Sequence, residues 1–211
     1  MNDSGPTKPS VESLSEGDSY LVREPFYPNS GPSQVPLSDT TLFSQLLAQA
    51  LAPKSVPSWR MVDERHATDS YQNVLFSLLR FQHLIGTYPT HITIISHDFK
   101  RRRFLDLHVP AIRWPPARVS YVGIDPPERV TPRQVLDEGE RMRGYTVWEM
   151  DLYGMGPVLG AKRVERGWSV VRENMVSEGV EEDVWRFLRW RGGESGVELY
   201  PYSLPWVDVV Q

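Results

Sequence analysis

The chain contains no cysteine. That excludes disulfides, thiolate zinc sites and a cysteine nucleophile, and it fits a reducing compartment. No apolar run approaches the roughly 20 residues a membrane span needs, and the first twenty residues lack the basic and apolar blocks of a secretory signal. Positive charge is not in excess: the formal net charge of −4 argues against a dedicated nucleic-acid binder, which usually carries a basic surplus. No internal repeat, nucleophile motif or metal-ligand spacing is present; His66 lies near Asp63 and Glu64, but loop proximity is weak grounds for a metal. These absences point to a soluble, cytoplasmic chain.

With 211 residues, 40% of them hydrophobic, the chain has enough material for one domain with a real core. Many of its 18 prolines lie between Pro6 and Pro57, so the N-terminal quarter reads as loop-rich. Residues 1–37 form a loop-rich segment with at most a short helix around Glu16–Arg23, and 38–211 a single α/β domain with an irregular C-terminal extension. Ser38 or Asp39 can cap a helix to Leu51, whose Leu42, Phe43, Leu46, Leu47 and Ala50 make one apolar stripe.

The stretch from Asp69 to Pro127 fixes the fold class. Tyr71, Val74, Leu75, Leu78, Gln82 and Ile85 share one face of a helix from about Ser70 to Ile85, with Asp69 or Ser70 as its cap and Gly86 at its end. His91–Ser96 reads as a buried strand, about Phe99–His108 as a helix, and Val119–Ile124 as a second strand. Strand, helix and strand at this spacing imply a parallel pair. Thr131 caps a further helix with Pro132 at its first position, reaching about Arg143. Residues 144–178 read as irregular, with Asp151-Leu152-Tyr153-Gly154 a tight turn. A last helix, Glu181–Trp190, turns Val184, Trp185 and Leu188 inward. An aromatic tail with Tyr200, Tyr202 and Trp206 reads as core or as a lid over the sheet edge. Only two strands are convincing, a small sheet for this length.

Several segments, in order, resemble the domain of unknown function 218 family in its fungal form. Ser4-Gly5-Pro6-Thr7-Lys8 resembles its Ser-Gly-Gly-x-Thr-Arg loop, and Ser15-Glu16-Gly17-Asp18-Ser19-Tyr20 the segment after it. Glu64 and Asp69-Ser70-Tyr71-Gln72-Asn73 match an acidic residue and an Asp-Ser-x-x-Asn helix start. The most specific matches are Phe99-Lys100-Arg101-Arg102-Arg103-Phe104 with His108, and Gly123-Ile124-Asp125-Pro126-Pro127. Asp151-Leu152-Tyr153-Gly154, Lys162-Arg163 and Leu204-Pro205-Trp206 complete the series. The resemblance implies a Rossmann-like, three-layer α/β fold with a small parallel sheet. It supplies no reaction. Pro6 and Lys8 depart from the family's glycine and arginine. Relatives carry a strand, a helix and a strand before the loop, so the chain reads as N-terminally incomplete. An edge left open by missing strands predicts an association-prone product.

Ligands of open parallel sheets bind beyond the carboxyl ends of the strands. Those ends carry Ser96-His97-Asp98 and Gly123-Ile124-Asp125. The helix start adds Asp69, Ser70 and Asn73, where free N–H groups and the dipole suit an anion. Lys100 and Arg103, three apart, share a face. The candidate ligand-binding residues are Ser4, Gly5, Glu64, Asp69, Ser70, Asn73, Lys100, Arg103 and Asp125, with His97 as the candidate acid or base. Each has a plainer alternative: Asp69 or Ser70 as a helix cap, Asn73 and the run from Lys100 to Arg103 as solvated surface, His97 as a structural histidine, Ser4-Gly5 as an ordinary terminus. The expected function is binding of an anionic or nucleotide-like small molecule, with S-adenosylmethionine or a nucleotide suggested by the fold alone. The alternative is a non-enzymatic interaction module using the proline-rich N-terminus and the aromatic C-terminus. Nucleic-acid binding through residues 100–103 is the weakest reading.

Overall fold

The computed structural model describes residues 64–207 in full and the backbone of Tyr20–Arg23. Ser4, Gly5 and the helix predicted over Ser38–Leu51 lie outside the described residues. The described part is a mixed α/β arrangement around a small parallel sheet.

The sheet has three strands in the order β1-β2-β3: β1 (Tyr20–Arg23), β2 (Ile92–Ser96) and β3 (Val119–Gly123). Both pairings are parallel, with Tyr20 opposite Ile92, Ile92 opposite Val119, and Ser96 opposite Gly123. Two sequence expectations change here. The segment to Arg23 was read as loop or short helix, yet Tyr20–Arg23 is a strand. A helix over Glu16–Arg23 would be barely two turns, too short to be stable by itself, whereas β2 offers a ready ladder to Tyr-Leu-Val-Arg, a β-prone tetrad. Among the described residues the sheet therefore has three strands rather than two. Ile92 and Ile94 are buried in the core, while Ser120 and Val122 of β3 are exposed.

Helix α1 (Ser70–Ile85) matches its sequence expectation at both ends. Asp69 is extended and its carboxylate accepts the Gln72 N–H; Gly86 closes the helix at φ 90°, donating to the Gln82 carbonyl. The predicted face is buried from Tyr71 through Leu78. It joins Ile92, Ile94, Phe104, Ile112 and Trp206 in one core, where a Leu or Ile side chain gains about 1.5–3 kcal/mol from leaving water.

The helical run α2 (residues 98–111) opens with a 3₁₀ turn at Asp98–Lys100, widens to a π-helix over Arg103–His108 and ends in an α-turn at Val109–Ala111. Pro110 has no N–H to give, and its ring crowds the carbonyl four residues back. The wider turn, in which the Val109 N–H reaches Phe104, accommodates it. Helix α3 (residues 133–149) also combines α and π turns. It starts one residue later than expected, because Pro132 is itself extended and acts as the cap. It also runs past Arg143 to Glu149.

The region read as irregular holds two more helices, α4 (Pro157–Glu165) and α5 (Val170–Ser177). Both are short and largely exposed, so no long apolar stripe announces them; α4 buries just Leu159 and Arg163. The turn before α4 is as expected, with the Gly154 N–H on the Asp151 carbonyl at 3.1 Å. The Asp151 carboxylate then accepts the N–H groups of Met155 at 2.9 Å and Gly156 at 2.8 Å. Helix α6 (Glu182–Leu188) buries Val184 and Phe187, not Trp185, which is 43% exposed and carries the Arg189 guanidinium 3.7 Å from its ring centroid.

The C-terminal aromatics belong to the core. Tyr200, Leu204 and Trp206 are buried, whereas Tyr202 is exposed. The Trp206 indole N–H donates to the Ile112 carbonyl at 2.8 Å, and Arg118 donates to the Trp206 carbonyl at 2.8 Å. The tail therefore closes the fold rather than presenting a free aromatic face.

Candidate functional site

The candidate residues separate into a rim at the carboxyl ends of the strands and an inner cluster at the start of α1, with α3 running from one to the other.

At the rim, the Ile124 N–H reaches the Ser96 carbonyl at 2.9 Å, so the two strand ends do lie side by side. The His97 Nδ1–H donates to the Ile124 carbonyl at 2.9 Å, and its ring stacks on Phe99 at 5.1 Å between centroids. The His97 carbonyl accepts the Tyr121 hydroxyl at 2.6 Å. Asp125 accepts the Phe99 N–H at 3.3 Å and pairs with Arg133 at 2.7 Å. Arg133 also meets Asp98 at 3.1 Å and Asp137 at 2.8 Å. Arg101 holds Asp98 from the other side at 2.7 Å. Hydrogen bonds from Arg101 and Arg133 together hold the Asp98 carboxyl below its ordinary range. Gly123 is needed for this closeness: a Cβ there would sit 2.3 Å from an Asp98 carboxylate oxygen. The carboxylates of the rim are thus already bound to arginines.

The inner cluster is more deeply buried. Asp69 gives one carboxylate oxygen to the Gln72 N–H at 2.8 Å and the other to Arg163 Nε at 2.5 Å. The side chains of Arg163 and Asp69 are 5% and 8% exposed, so Asp69 is a cap and a buried ion-pair partner at once. The Ser70 hydroxyl meets His108 Nε2 at 2.8 Å. His108 is fully buried among Trp148, Phe104 and Tyr71, whose ring centroids lie 4.6, 5.4 and 6.0 Å away. Burial, and then the charges of Arg103 and Arg163, hold its imidazole well below the usual histidine range, so it is neutral. Arg103 pairs with Glu140 of α3 at 3.1 Å, each side chain 10% exposed; the Nε–H is not aligned for a hydrogen bond. Asn73, one turn into α1, is buried beside them in sequence.

Lys100 and Arg103 do not act as a pair. The Lys100 ammonium lies 5.9 Å from the Phe99 ring centroid, while Arg103 turns to Glu140. Glu64 accepts the N–H groups of His66 at 2.6 Å and Ala67 at 2.9 Å. Burial pushes its carboxyl up against the opposing pull of those bonds. It orders the loop into α1.

Positive charge gathers where α2, α3 and α4 meet. Burial, and then Arg166, Arg103 and Arg143 in that order, hold the half-buried Lys162 ammonium below the usual lysine range; Glu165 acts in the opposite sense. Arg166 donates to the Thr68 carbonyl at 2.8 Å, just before the start of α1. Lys162, Arg166 and Glu140 were not among the residues singled out from the sequence as ligand-binding. No local signal pairs Asp69 with Arg163, 94 positions on, or Arg103 with Glu140. Among the described residues, no three His, Asp or Glu side chains gather as a metal site would require, and no helix is long and apolar enough to cross a membrane.

No family model matches the chain, and no solved structure matches it. Over 63 residues, 30% of this chain, it is 40% identical to the uncharacterized protein YOR238W of Saccharomyces cerevisiae. The similarity is to an uncharacterised fungal protein. The matched stretch covers 21% of that protein, so the chain spans well under two thirds of its relative's length. Neither finding shows membership of the domain of unknown function 218 family, which the order of the motifs suggests.

Proposed function

We propose that the chain is a Rossmann-like domain, akin to the domain of unknown function 218 proteins, that binds an anionic or nucleotide-like small molecule at the start of α1. The observation that carries this reading is that burial, and then the charges of Arg166, Arg103 and Arg143, hold the half-buried Lys162 ammonium below the usual lysine range. Glu140 pairs with Arg103, and Glu165 acts on Lys162 in the opposite sense. Arg143 and Arg166 are exposed, Lys162 is half-buried, and a local surplus of one sign attracts a counter-charge. The start of a 16-residue helix adds its dipole in the same sense.

In this reading Lys162 and Arg166 hold a phosphate or carboxylate group, and Arg103, fixed by Glu140, sets the charge behind them. Asn73 orients the ligand. Asp69 and Ser70 position the site without touching the ligand, because their side chains are already engaged. His97, at the rim, is the candidate acid or base, and Ser4-Gly5 would contribute a phosphate-binding turn. S-adenosylmethionine and nucleotides are the first ligands to try, and the fold alone suggests them.

A thermal-shift panel of nucleotides, adenosyl compounds and inorganic phosphate tests this. Stabilisation that is lost in Lys162→Ala and falls with added salt is the expected result. No shift with any of the panel counts against the reading.

A further inference from the structure

A second site lies on the opposite side of α1. At ~100° per residue, Tyr71, Gln72, Leu75 and Phe76 face roughly 160° away from Ser70 and Asn73. They border a crevice of about 40 Å³ whose lining also includes half-buried Trp168, Trp190 and Glu173 and exposed Arg191. Trp168 stacks on Phe76, with ring centroids 5.6 Å apart. At ~10–15 Å³ for each water position, the crevice admits about three waters, the size of one small polar group.

Two polar groups of this lining lack partners. The Gln72 side-chain oxygen accepts the Thr68 N–H at 2.8 Å and the Thr68 hydroxyl at 2.6 Å. Two donors on one oxygen fix how the amide lies and turn its NH₂ away from Thr68. Among the described residues that NH₂ meets no acceptor, and the Tyr71 hydroxyl makes no hydrogen bond. Gln72 and Tyr71 are 3% and 5% exposed, yet neither group is sealed from solvent as Arg163 Nη2 is. The surface left to them faces the crevice that both residues line. Burial pushes the Tyr71 hydroxyl well above the usual range; of the groups that act on it next, Tyr153, Arg163, Asp69 and Arg191, three line the same crevice. Toward solvent, Glu173 and Arg191 carry opposite charges, and neither has an ion-pair partner among the described residues. Arg191 gives one N–H to the Leu188 carbonyl at 3.4 Å.

We propose that this crevice binds a free amino acid with a side-chain carboxamide, glutamine or asparagine. The carboxamide fills the inner space, and its oxygen accepts from the Gln72 NH₂ and the Tyr71 hydroxyl. The α-ammonium meets Glu173 and the α-carboxylate meets Arg191, as charge-assisted bonds. The methylenes between lie against Trp168 and Trp190. A carboxamide is favoured over a carboxylate because both inner donors are neutral, and the Arg163 guanidinium is already neutralised by Asp69; a desolvated carboxylate would have no cation of its own. The site is independent of the cationic cluster around Lys162.

Glutamine and asparagine are titrated into the full ¹⁵N-labelled chain, with the indole N–H signals of Trp168 and Trp190 as the readout. Saturable shifts of both signals are expected with at least one of the two. The corresponding acid, charged where the carboxamide is neutral, and butyramide, which lacks the zwitterionic head, should each bind at least about tenfold more weakly, equivalent to about 1.4 kcal/mol. Tyr71→Phe removes a hydroxyl that no described residue uses, so the melt should hold while binding falls about fivefold or more. Glu173→Gln, at a half-buried position, should weaken binding about fivefold. Absence of saturable shifts with either amino acid, equal affinity for the acid or for butyramide, or unchanged affinity in a folded Tyr71→Phe or Glu173→Gln chain would overturn the proposal. Lys162→Ala separates the two sites: it should leave this binding unchanged, and a loss there would also overturn it.

Discussion

Asp69 caps α1 and neutralises a guanidinium that is almost wholly removed from water, so its two oxygens do different work. Asp69→Ala removes both and leaves Arg163 as an uncompensated buried charge, for which a loss of about 3–5 kcal/mol is expected in a urea melt. Asp69→Asn keeps the cap and should cost less. His108 works through its neutrality. Because its folded pKa is depressed, the unfolded chain takes up a proton first as pH falls. Stability contributed by this group is complete above about pH 6.5 and declines below it by up to about 1.4 kcal/mol per pH unit, until the folded imidazole itself titrates. His108→Gln retains a partner for Ser70 and cannot titrate. Melts between neutral pH and pH 5 should therefore slope in the parent chain and run flatter in the variant. Asp98 acts in a separate, more acidic window: its carboxyl is held down by Arg101 and Arg133, so its contribution is present above about pH 4 and lost below.

Among the elements, those whose signals are local were legible in the sequence. Helix α1 has a cap, a periodic apolar face and a terminal glycine, and its bounds follow from them. β2 is a run of β-branched residues, and the Asp151–Gly154 turn carries its own aspartate and glycine. The rest depends on partners distant in the chain. Tyr20–Arg23 is a strand because β2 lies alongside it. α4 and α5 are helices whose faces are mostly wet, and α6 turns Phe187 rather than Trp185 to the core, a choice that four residues of pattern cannot make. The candidate site divides in the same way. Asp69, Ser70, Asn73 and Arg103 are candidates from a helix start and a charged run, and Lys162 belongs to a family-like motif, while Glu140 and Arg166 enter through tertiary contacts alone. The close approach of α2 to β3 was also hidden. Gly123→Ala forces a methyl group onto Asp98, and the backbone there must move; a loss of about 1–3 kcal/mol is expected, read as a lower denaturant midpoint with an unchanged slope.

For the whole molecule, the C-terminal aromatics complete the core that α1, β2 and α2 begin. Trp206→Ala should cost about 3–5 kcal/mol, and deletion from Tyr200 onward should abolish cooperative unfolding rather than release an intact domain from a partner. That outcome separates a structural tail from the interaction-module alternative, which expects the shortened chain to remain folded while losing a binding activity. The central claim is that the positive surplus around Lys162, next to the start of α1, exists to hold an anion. Calorimetric titration of the full chain with S-adenosylmethionine, ATP and inorganic phosphate, repeated in Lys162→Ala and at raised salt, addresses it most directly. The account predicts saturable binding of at least one of these, weakened about tenfold or more by the substitution and weakened further by salt. Binding that Lys162→Ala and salt leave untouched, or none at all by a folded chain, would contradict it.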